Sequence, residues 1–277
     1  MHWQTSRYVI DLRRPQVMGI VNITPDSFSD GGRHGDTRSA LAHCEQLLRE
    51  GADILDLGGE SSRPGAEALP LEDELARVLP VLREAVRLGV PVSVDTYKTE
   101  VMQAALDAGA DIVNDIFALR SPGAEVVVAR HPRCGVCLMH MQGEPKSMQA
   151  APHYDDVAAE VRNFLTSRAE VLREQGVAAD RIVLDPGYGF GKSVEHNFEL
   201  LRRQRELLEA GYPLLAGWSR KSSLGAVTGR TVDDRLAASV AAALAAVERG
   251  ARIVRVHDVA ATVDALKVWA HAGLPSP

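Results

Sequence analysis

The chain has 277 residues, of which 45% are hydrophobic and 25% charged, an ordinary balance for a globular protein with one sizeable core. Its formal net charge of −6 excludes a general nucleic-acid surface, so any anion must be held by local placement of Arg, Lys and backbone N–H groups. No apolar run reaches the ~18 residues of a membrane span, and the start Met1-His2-Trp3-Gln4-Thr5-Ser6-Arg7 lacks a signal-peptide core, so a cytoplasmic protein is expected.

Residues 1–15 read as a short N-terminal extension, a polar lead-in able to form a hairpin under the domain that fills 16–277. Short apolar, β-branched runs then recur at 16–22, 53–58, 91–95, 111–116, 135–140, 181–185, 213–218 and 252–257. Between them lie segments with helical periodicity. In 39–50, Leu41, Cys44, Leu47 and Leu48 share a face; in 73–88, Leu75, Val78, Leu79, Leu82 and Val86 do. Near-continuous apolar strands indicate a parallel sheet covered on its outside. Eight alternating strand–helix units predict an α/β fold of the (β/α)8 TIM-barrel class. An open doubly wound sheet would carry a glycine fingerprint on its first strand–helix turn, and the turn after Asn22 has none.

Three features resemble sites and are read as structural. Cys134 and Cys137 have redox-pair spacing, but on a strand two thiols three residues apart face opposite sides. Gly187-Tyr188-Gly189-Phe190-Gly191-Lys192-Ser193 resembles a phosphate-binding loop, yet Pro186 stands where that loop needs its first glycine. Its glycines are expected to turn the backbone under a flat ligand. The alanine-rich run 236–247 is too short to span a membrane and reads as a helix against the barrel or a partner subunit.

In such a barrel, ligands bind at the C-terminal ends of the strands. There the sequence places Asn22, Asp95, Asn114, Asp185, Lys221, Arg255 and His257, with Arg63 on the loop after the second strand. A lone Asp or Asn at a strand end is more often a helix cap; the convergence of many polar groups on one face favours a site. Asp95, Asn114 and Asp185 match the donors and acceptors of a planar heterocycle bearing an amino group and a ring N–H. Lys221 can donate to the same ligand, while Met139 and Phe190 can sandwich or edge its ring. A second zone joins Asn22 and Arg63 to Arg255 and His257 and suits a diphosphate. Asn22 could hold Mg²⁺ through its amide oxygen, with phosphate oxygens and waters completing the shell.

Eight motifs in order along 8–270 resemble the dihydropteroate synthase family. They are Asn22-Ile23-Thr24-Pro25-Asp26-Ser27-Phe28-Ser29-Asp30-Gly31-Gly32, Gly58-Gly59-Glu60-Ser61-Ser62-Arg63-Pro64-Gly65, Ser93-Val94-Asp95-Thr96, Asn114-Asp115-Ile116, Cys137-Leu138-Met139-His140-Met141, Asp185-Pro186-Gly187-Tyr188-Gly189-Phe190-Gly191-Lys192, Ser219-Arg220-Lys221-Ser222 and Arg255-Val256-His257-Asp258. The resemblance implies a transferase of folate biosynthesis. It condenses 6-hydroxymethyl-7,8-dihydropterin diphosphate with 4-aminobenzoate, giving 7,8-dihydropteroate and pyrophosphate.

By resemblance, Asp95, Asn114, Asp185 and Lys221 bind the pterin, in a slot shaped by Ile116, Met139, Phe190 and Gly217. Asn22, Arg63, Arg255 and His257 are implied to hold the diphosphate, with Asn22 the ligand of Mg²⁺. Phe28, Ser62, Arg63, Pro64, Lys221 and Ser222 match positions near 4-aminobenzoate. Asp30, Arg63 and Lys221 are the implied catalytic residues, Asp30 as the acid beside a developing cation on the pterin CH₂. The helix starting at Ser222 is expected to receive the 4-aminobenzoate carboxylate, and the loop 29–37 to close over the site.

The family also implies a homodimer and sulfonamide inhibition. Ser62 departs from its usual threonine, keeping the hydroxyl and losing a methyl, while Phe28 and Pro64 match the sulfonamide-sensitive form. Two other readings are weaker. A folate-dependent methyltransferase needs the pterin acids but not the set Asn22, Arg63, Arg255 and His257. A non-catalytic paralogue would be expected to lose loop residues first, and Phe28, Asp30, Arg63 and Lys221 are intact.

Overall fold

The computed structural model describes residues 1–23, 32–61, 65, 67–144 and 146–273, with the backbone alone at 32–36. Two short strands, β1 (His2–Gln4) and β2 (Val9–Asp11), pair antiparallel. Eight parallel strands follow: β3 (Gln16–Asn22), β4 (Ile54–Gly58), β5 (Val92–Asp95), β6 (Ile112–Asp115), β7 (Gly135–Met139), β8 (Ile182–Asp185), β9 (Leu214–Ala216) and β10 (Ala251–Val256). They pair in sequence order and close through β10 against β3, so the chain is a (β/α)8 barrel.

The outer layer is α1 (Gly32–Arg49), α2 (Leu71–Ala85), α3 (Thr99–Asp107), α4 (Ala124–Arg130), α5 (Val157–Glu174), α6 (Val194–Arg202), α7 (Ser222–Thr228), α8 (Leu236–Glu248) and α9 (Val259–His271). On α2, Val78 and Leu82 are buried as the periodicity predicts, whereas Leu75, Leu79 and, just past the helix end, Val86 are only partly covered. Helix α1 begins at Gly32, seven residues before the apolar pattern starts at Ser39, so it takes in most of the segment read as the closing loop 29–37. Gly32-Arg33-His34-Gly35-Asp36-Thr37 has no apolar period, which leaves its helical backbone invisible to pattern reasoning.

Strand alternation divides the core. Met18, Ile54, Ile112, Cys137, Val183, Leu215 and Ile253 meet inside the lower barrel, where Trp3, Ile10 and Leu12 of the hairpin plug the open end. Trp3 is fully buried and its indole N–H donates to Arg181 O at 2.9 Å. Arg7 pins the hairpin by a two-pronged pair with the buried Asp111, at 3.0 and 2.6 Å. Residues of opposite parity pack outward against the helices, Cys134 among them, so the two neighbouring cysteines lie in separate cores as buried free thiols.

Candidate active site

The parity that sends the lower residues inward also sends inward those two or four places later. From Met18 the count reaches Asn22, from Ile54 Asp56, from Ile112 Asn114 and Ile116, and from Cys137 Met139. From Val183 it reaches Asp185, from Leu215 Gly217, and from Ile253 Arg255 and His257. An apolar lower layer thus continues upward into a polar one at the C-terminal mouth.

Three of these groups form one hydrogen-bonded chain with Asp95, which ends β5. Arg255 donates from Nε to Asp56 Oδ2 and from Nη2 to Asp95 Oδ2, both at 2.6 Å. Asn114 Nδ2 donates to the same Asp56 oxygen at 3.2 Å. The two zones separated at the sequence level are therefore joined in this structure, since Arg255 of the diphosphate set lies on Asp95 of the pterin set. Asp56 is fully buried, and its Oδ1 has no hydrogen-bond partner among the described residues.

Sequence reading missed Asp56, because attention rested on strand tips and this acid lies inside β4 between Leu55 and Leu57. The available signal was a lone carboxylate at an inward position of an otherwise apolar parallel strand.

Burial sets the ionisation of the cluster. Asp95 is pushed up to about 7 by burial, with Arg255 opposing and Asp56 adding to the rise. Burial also raises Asp185, offset by the Gly187 N–H and then by Lys221 and Arg255. Lys221 is lowered to about 8 by burial, against the pull of Asp185. Burial works against the charge on Arg255, but Asp56 and Asp95 outweigh it and hold its pKa above the ordinary value.

The apolar side of the mouth is built by Ile116, Met139, Met141 and Met148, with Tyr97, Phe117 and Phe190 packed against them. Lys221 Nζ lies over the Phe190 ring, 4.0 Å from its centre. A side chain at Gly217 would meet nothing within 4 Å, so that glycine borders open space. Met141, Met148 and Tyr97 were not singled out from the sequence.

The loop after β8 is shaped by Gly187, Gly189 and Gly191, with φ of 67°, 82° and 58°. At Gly187 a Cβ would lie 1.9 Å from His140 O, and its N–H is taken by Asp185 Oδ1 at 2.7 Å. The lysine of this loop turns away from the mouth. Buried Lys192 bonds to His140 Nδ1, Gly187 O and Phe190 O, each at 3.0 Å, and burial lowers it to about 7. It ties the loop together and does not extend toward a phosphate.

The remaining sequence-derived positions fall into three groups. Asn22 ends β3 and is half-buried, and His257 follows β10 with Nδ1 3.0 Å from Ser219 Oγ. Ser222 opens the seven-residue α7 and is exposed. Phe28, Asp30, Ser62, Arg63 and Pro64 lie outside the described residues. Lys98, beyond Asp95, is held between Glu60 and Glu74, at 2.6 Å from the latter, under the start of the loop after β4.

No group of three His, Cys, Asp or Glu side chains able to hold a metal occurs among the described residues. The inward amide of Asn22 offers one hard oxygen, a donor set that fits Mg²⁺ held largely by substrate phosphates and water.

Comparison with known proteins agrees with this architecture. The family model for the pterin binding enzymes matches residues 18–257. A dihydropteroate synthase of Neisseria meningitidis serogroup C is 55% identical over 276 residues, covering 98% of each chain. The Burkholderia cenocepacia dihydropteroate synthase complexed with 7,8-dihydropteroate superposes with a TM-score of 0.90 at 52% identity, over 98% of this chain and 96% of that one. The Yersinia pestis enzyme in a sulfonamide drug complex gives a TM-score of 0.93 at 44% identity, over 99% of each chain. With a closed barrel whose mouth carries these acids, amide and cations, and with likeness over nearly its whole length, this chain belongs to the pterin binding enzymes as a member of the dihydropteroate synthase family.

Proposed function

We propose that the Asp56–Arg255–Asp95 chain is the floor of the pterin and diphosphate site in this enzyme. The activity is that of the family: it condenses 6-hydroxymethyl-7,8-dihydropterin diphosphate with 4-aminobenzoate to give 7,8-dihydropteroate and pyrophosphate. The nitrogen of the aryl amine attacks the exocyclic CH₂ as the C–O bond breaks. The diphosphate departs with the bonding electrons, and the amine gives up a proton.

In this reading Asp95, Asn114 and Asp185 take the amino and ring N–H groups of the pterin, and Lys221 donates to it. Ile116, Met139 and Phe190 cover its faces beside Gly217. Arg255, already charged and held by two carboxylates, turns toward the departing diphosphate when the pterin takes over Asp95. His257 and Arg63 complete that grip, with Asn22 as the site of Mg²⁺. Bound there, Mg²⁺ supplies charge neutralisation on the leaving pyrophosphate.

Asp30 stands near the developing CH₂ cation, and Phe28, Ser62, Arg63, Pro64, Lys221 and Ser222 receive 4-aminobenzoate. The amine is neutral at pH 7, so the chemistry does not require a strong general base. The sulfonamide complex of the Yersinia pestis relative supports sulfonamides as competitors of 4-aminobenzoate here too.

The single observation carrying this reading is the placement of Arg255 between Asp56 and Asp95, which joins the guanidinium assigned to the diphosphate to the acids assigned to the pterin. The test is pyrophosphate release by purified protein with dihydropterin diphosphate and Mg²⁺, with and without 4-aminobenzoate. Release that depends on 4-aminobenzoate, with formation of dihydropteroate, supports it. Pterin binding without condensation overturns it.

The same reading assigns the enzyme to the cytoplasm, in keeping with three free cysteines. It makes the enzyme a homodimer through the end of α7, the turn after it and the start of α8, where Val227, Val232 and Leu236 are 58%, 45% and 46% exposed. Sedimentation of wild type and Leu236→Glu tests the dimer; a monomeric wild type would sink it.

A further inference from the structure

Arg220 follows β9 and immediately precedes Lys221. Its φ is +58°, and among the described non-glycine residues only Ala118 and Leu119 share a positive value. A residue with a Cβ persists there when its surroundings over-determine it. The Arg220 N–H donates to Ser239 Oγ on α8 at 2.9 Å, and its carbonyl accepts from Arg235 Nη1 at 3.0 Å. Its guanidinium grips Asp258 with two bonds, Nε to Oδ2 at 3.1 Å and Nη2 to Oδ1 at 2.6 Å.

Asp258 is also in a locally unfavourable arrangement. It occupies the N-cap of α9, where an Asp ordinarily accepts from the first backbone N–H groups, yet its side chain makes no capping bond. One residue holds a left-handed backbone and the other forgoes a helix cap, and together they close a two-pronged bridge. With the Arg220 side chain 39% and the Asp258 side chain 21% exposed, the bridge is partly screened by solvent and sits at the rim of the mouth. A left-handed arginine and an unused helix cap, both accepted to close one bridge, point to a role for its geometry.

The bridge joins two neighbouring loops of the mouth. Lys221 follows Arg220 and His257 precedes Asp258. A parallel contact links the same loops, for Ser219 Oγ lies 3.0 Å from His257 Nδ1 and accepts the His257 N–H at 3.1 Å.

We propose that the Arg220–Asp258 bridge is a positioning device that sets the separation of Lys221 and His257, so that the pterin ring and the diphosphate of one substrate molecule are gripped together. This rests on the assignment of Lys221 to the pterin and His257 to the diphosphate. Breaking the bridge leaves each grip intact and spoils only their spacing. A substrate that joins both fragments is then penalised more than either fragment alone.

The test uses full-length Arg220→Ala, Asp258→Asn and the double variant. Steady-state rates with dihydropterin diphosphate are measured beside calorimetric binding of hydroxymethylpterin and of pyrophosphate separately. Each single variant is expected to lose about 10- to 100-fold in kcat/KM, and the double to lose no more than the worse single. Each fragment should bind within about threefold of wild type, because neither grip is removed.

Rates within twofold of wild type, losses that multiply in the double, or fragment affinities that fall in step with kcat/KM each overturn the proposal. Should Arg220→Ala fail to fold, the near-isosteric Asp258→Asn is judged by the same rate and fragment criteria. Lys221→Ala separates the two layers of the argument. If it retains full kcat/KM, the assignment of Lys221 falls and the bridge's role with it. If it loses activity while the bridge variants do not, the bridge alone is overturned.

Discussion

Asp56 and Arg255 are 199 residues apart in the chain and 2.6 Å apart in the barrel, joined beneath the mouth as an ion pair whose acid is fully buried. The pair exists because β10 closes onto β3 and β4 follows, which brings the last strand within one strand of the second. It organises three groups assigned to the substrate, since Asn114 shares the Asp56 oxygen and Asp95 shares the guanidinium.

Asp56→Asn should therefore impair substrate binding and stability together. It keeps an acceptor for Asn114 and removes half of the countercharge of Arg255, which then has only Asp95 to pair with. Pterin affinity is expected to fall about tenfold or more, and stability by about 2 kcal/mol, below the cost of fully stranding a buried charge. Calorimetry with hydroxymethylpterin and urea denaturation measure the two. Unchanged affinity would remove Asp56 from the site.

Pterin binding should be confined to a narrow pH window. Lys221, lowered to about 8 by burial, loses its donor charge above that value, and Asp95, raised to about 7 by burial, loses its acceptor charge below it. Affinity for a phosphate-free hydroxymethylpterin should fall on both sides of this range, as coupled macroscopic titrations of the cluster. For stability the direction differs. The folded state binds the Asp95 proton more tightly than the unfolded chain does, so this group's contribution declines as pH rises from about 4 to about 7. Affinity flat from pH 5 to 9 would contradict the assignment.

Gly187→Ala should disable the loop after β8. The added Cβ would sit 1.9 Å from the His140 carbonyl oxygen, at a φ of +67° that already disfavours a side chain. Relief requires moving the segment whose N–H orients Asp185. A loss on the order of 3 kcal/mol is expected, together with loss of pterin binding. A thermal midpoint within a degree of wild type would show that the loop yields easily.

The metal assignment predicts a titratable dependence. With one protein oxygen from Asn22 and the rest from substrate and water, Mg²⁺ should bind weakly without substrate and much more tightly with dihydropterin diphosphate present. Chelation should stop pyrophosphate release and added Mg²⁺ restore it, while Asn22→Ala should raise the Mg²⁺ concentration needed for half-maximal rate. Full activity in excess chelator would sink the assignment.

Trp3→Ala tests the plug at the other end. Trp3 is fully buried among the lower barrel residues and its indole bonds Arg181 O. Its truncation should cost about 3–5 kcal/mol while leaving KM for both substrates near wild type. A stability loss below 1 kcal/mol would mean that the barrel closes without the hairpin.

The sequence by itself carried the architecture, because strand and helix periods are local. Eight short apolar runs separated by amphipathic segments specify a parallel barrel before any contact is known. Pro186 already ruled out a phosphate loop, and Lys192 is found bonded within its own loop and to His140, turned away from the mouth. The polar tips were legible for the same reason, since charged and amide residues ending apolar strands stand out in the chain.

Only tertiary structure decided the parity of each strand, as slipping a strand by one residue exchanges its two faces without altering its composition. That parity put Asp56, which the sequence reading passed over, at the centre of the site and placed Arg255 on Asp95. It also brought Arg220 to Asp258, an arrangement hidden from the sequence because a left-handed arginine and an uncapped helix end are conformations, and what favours them lies on other strands and helices.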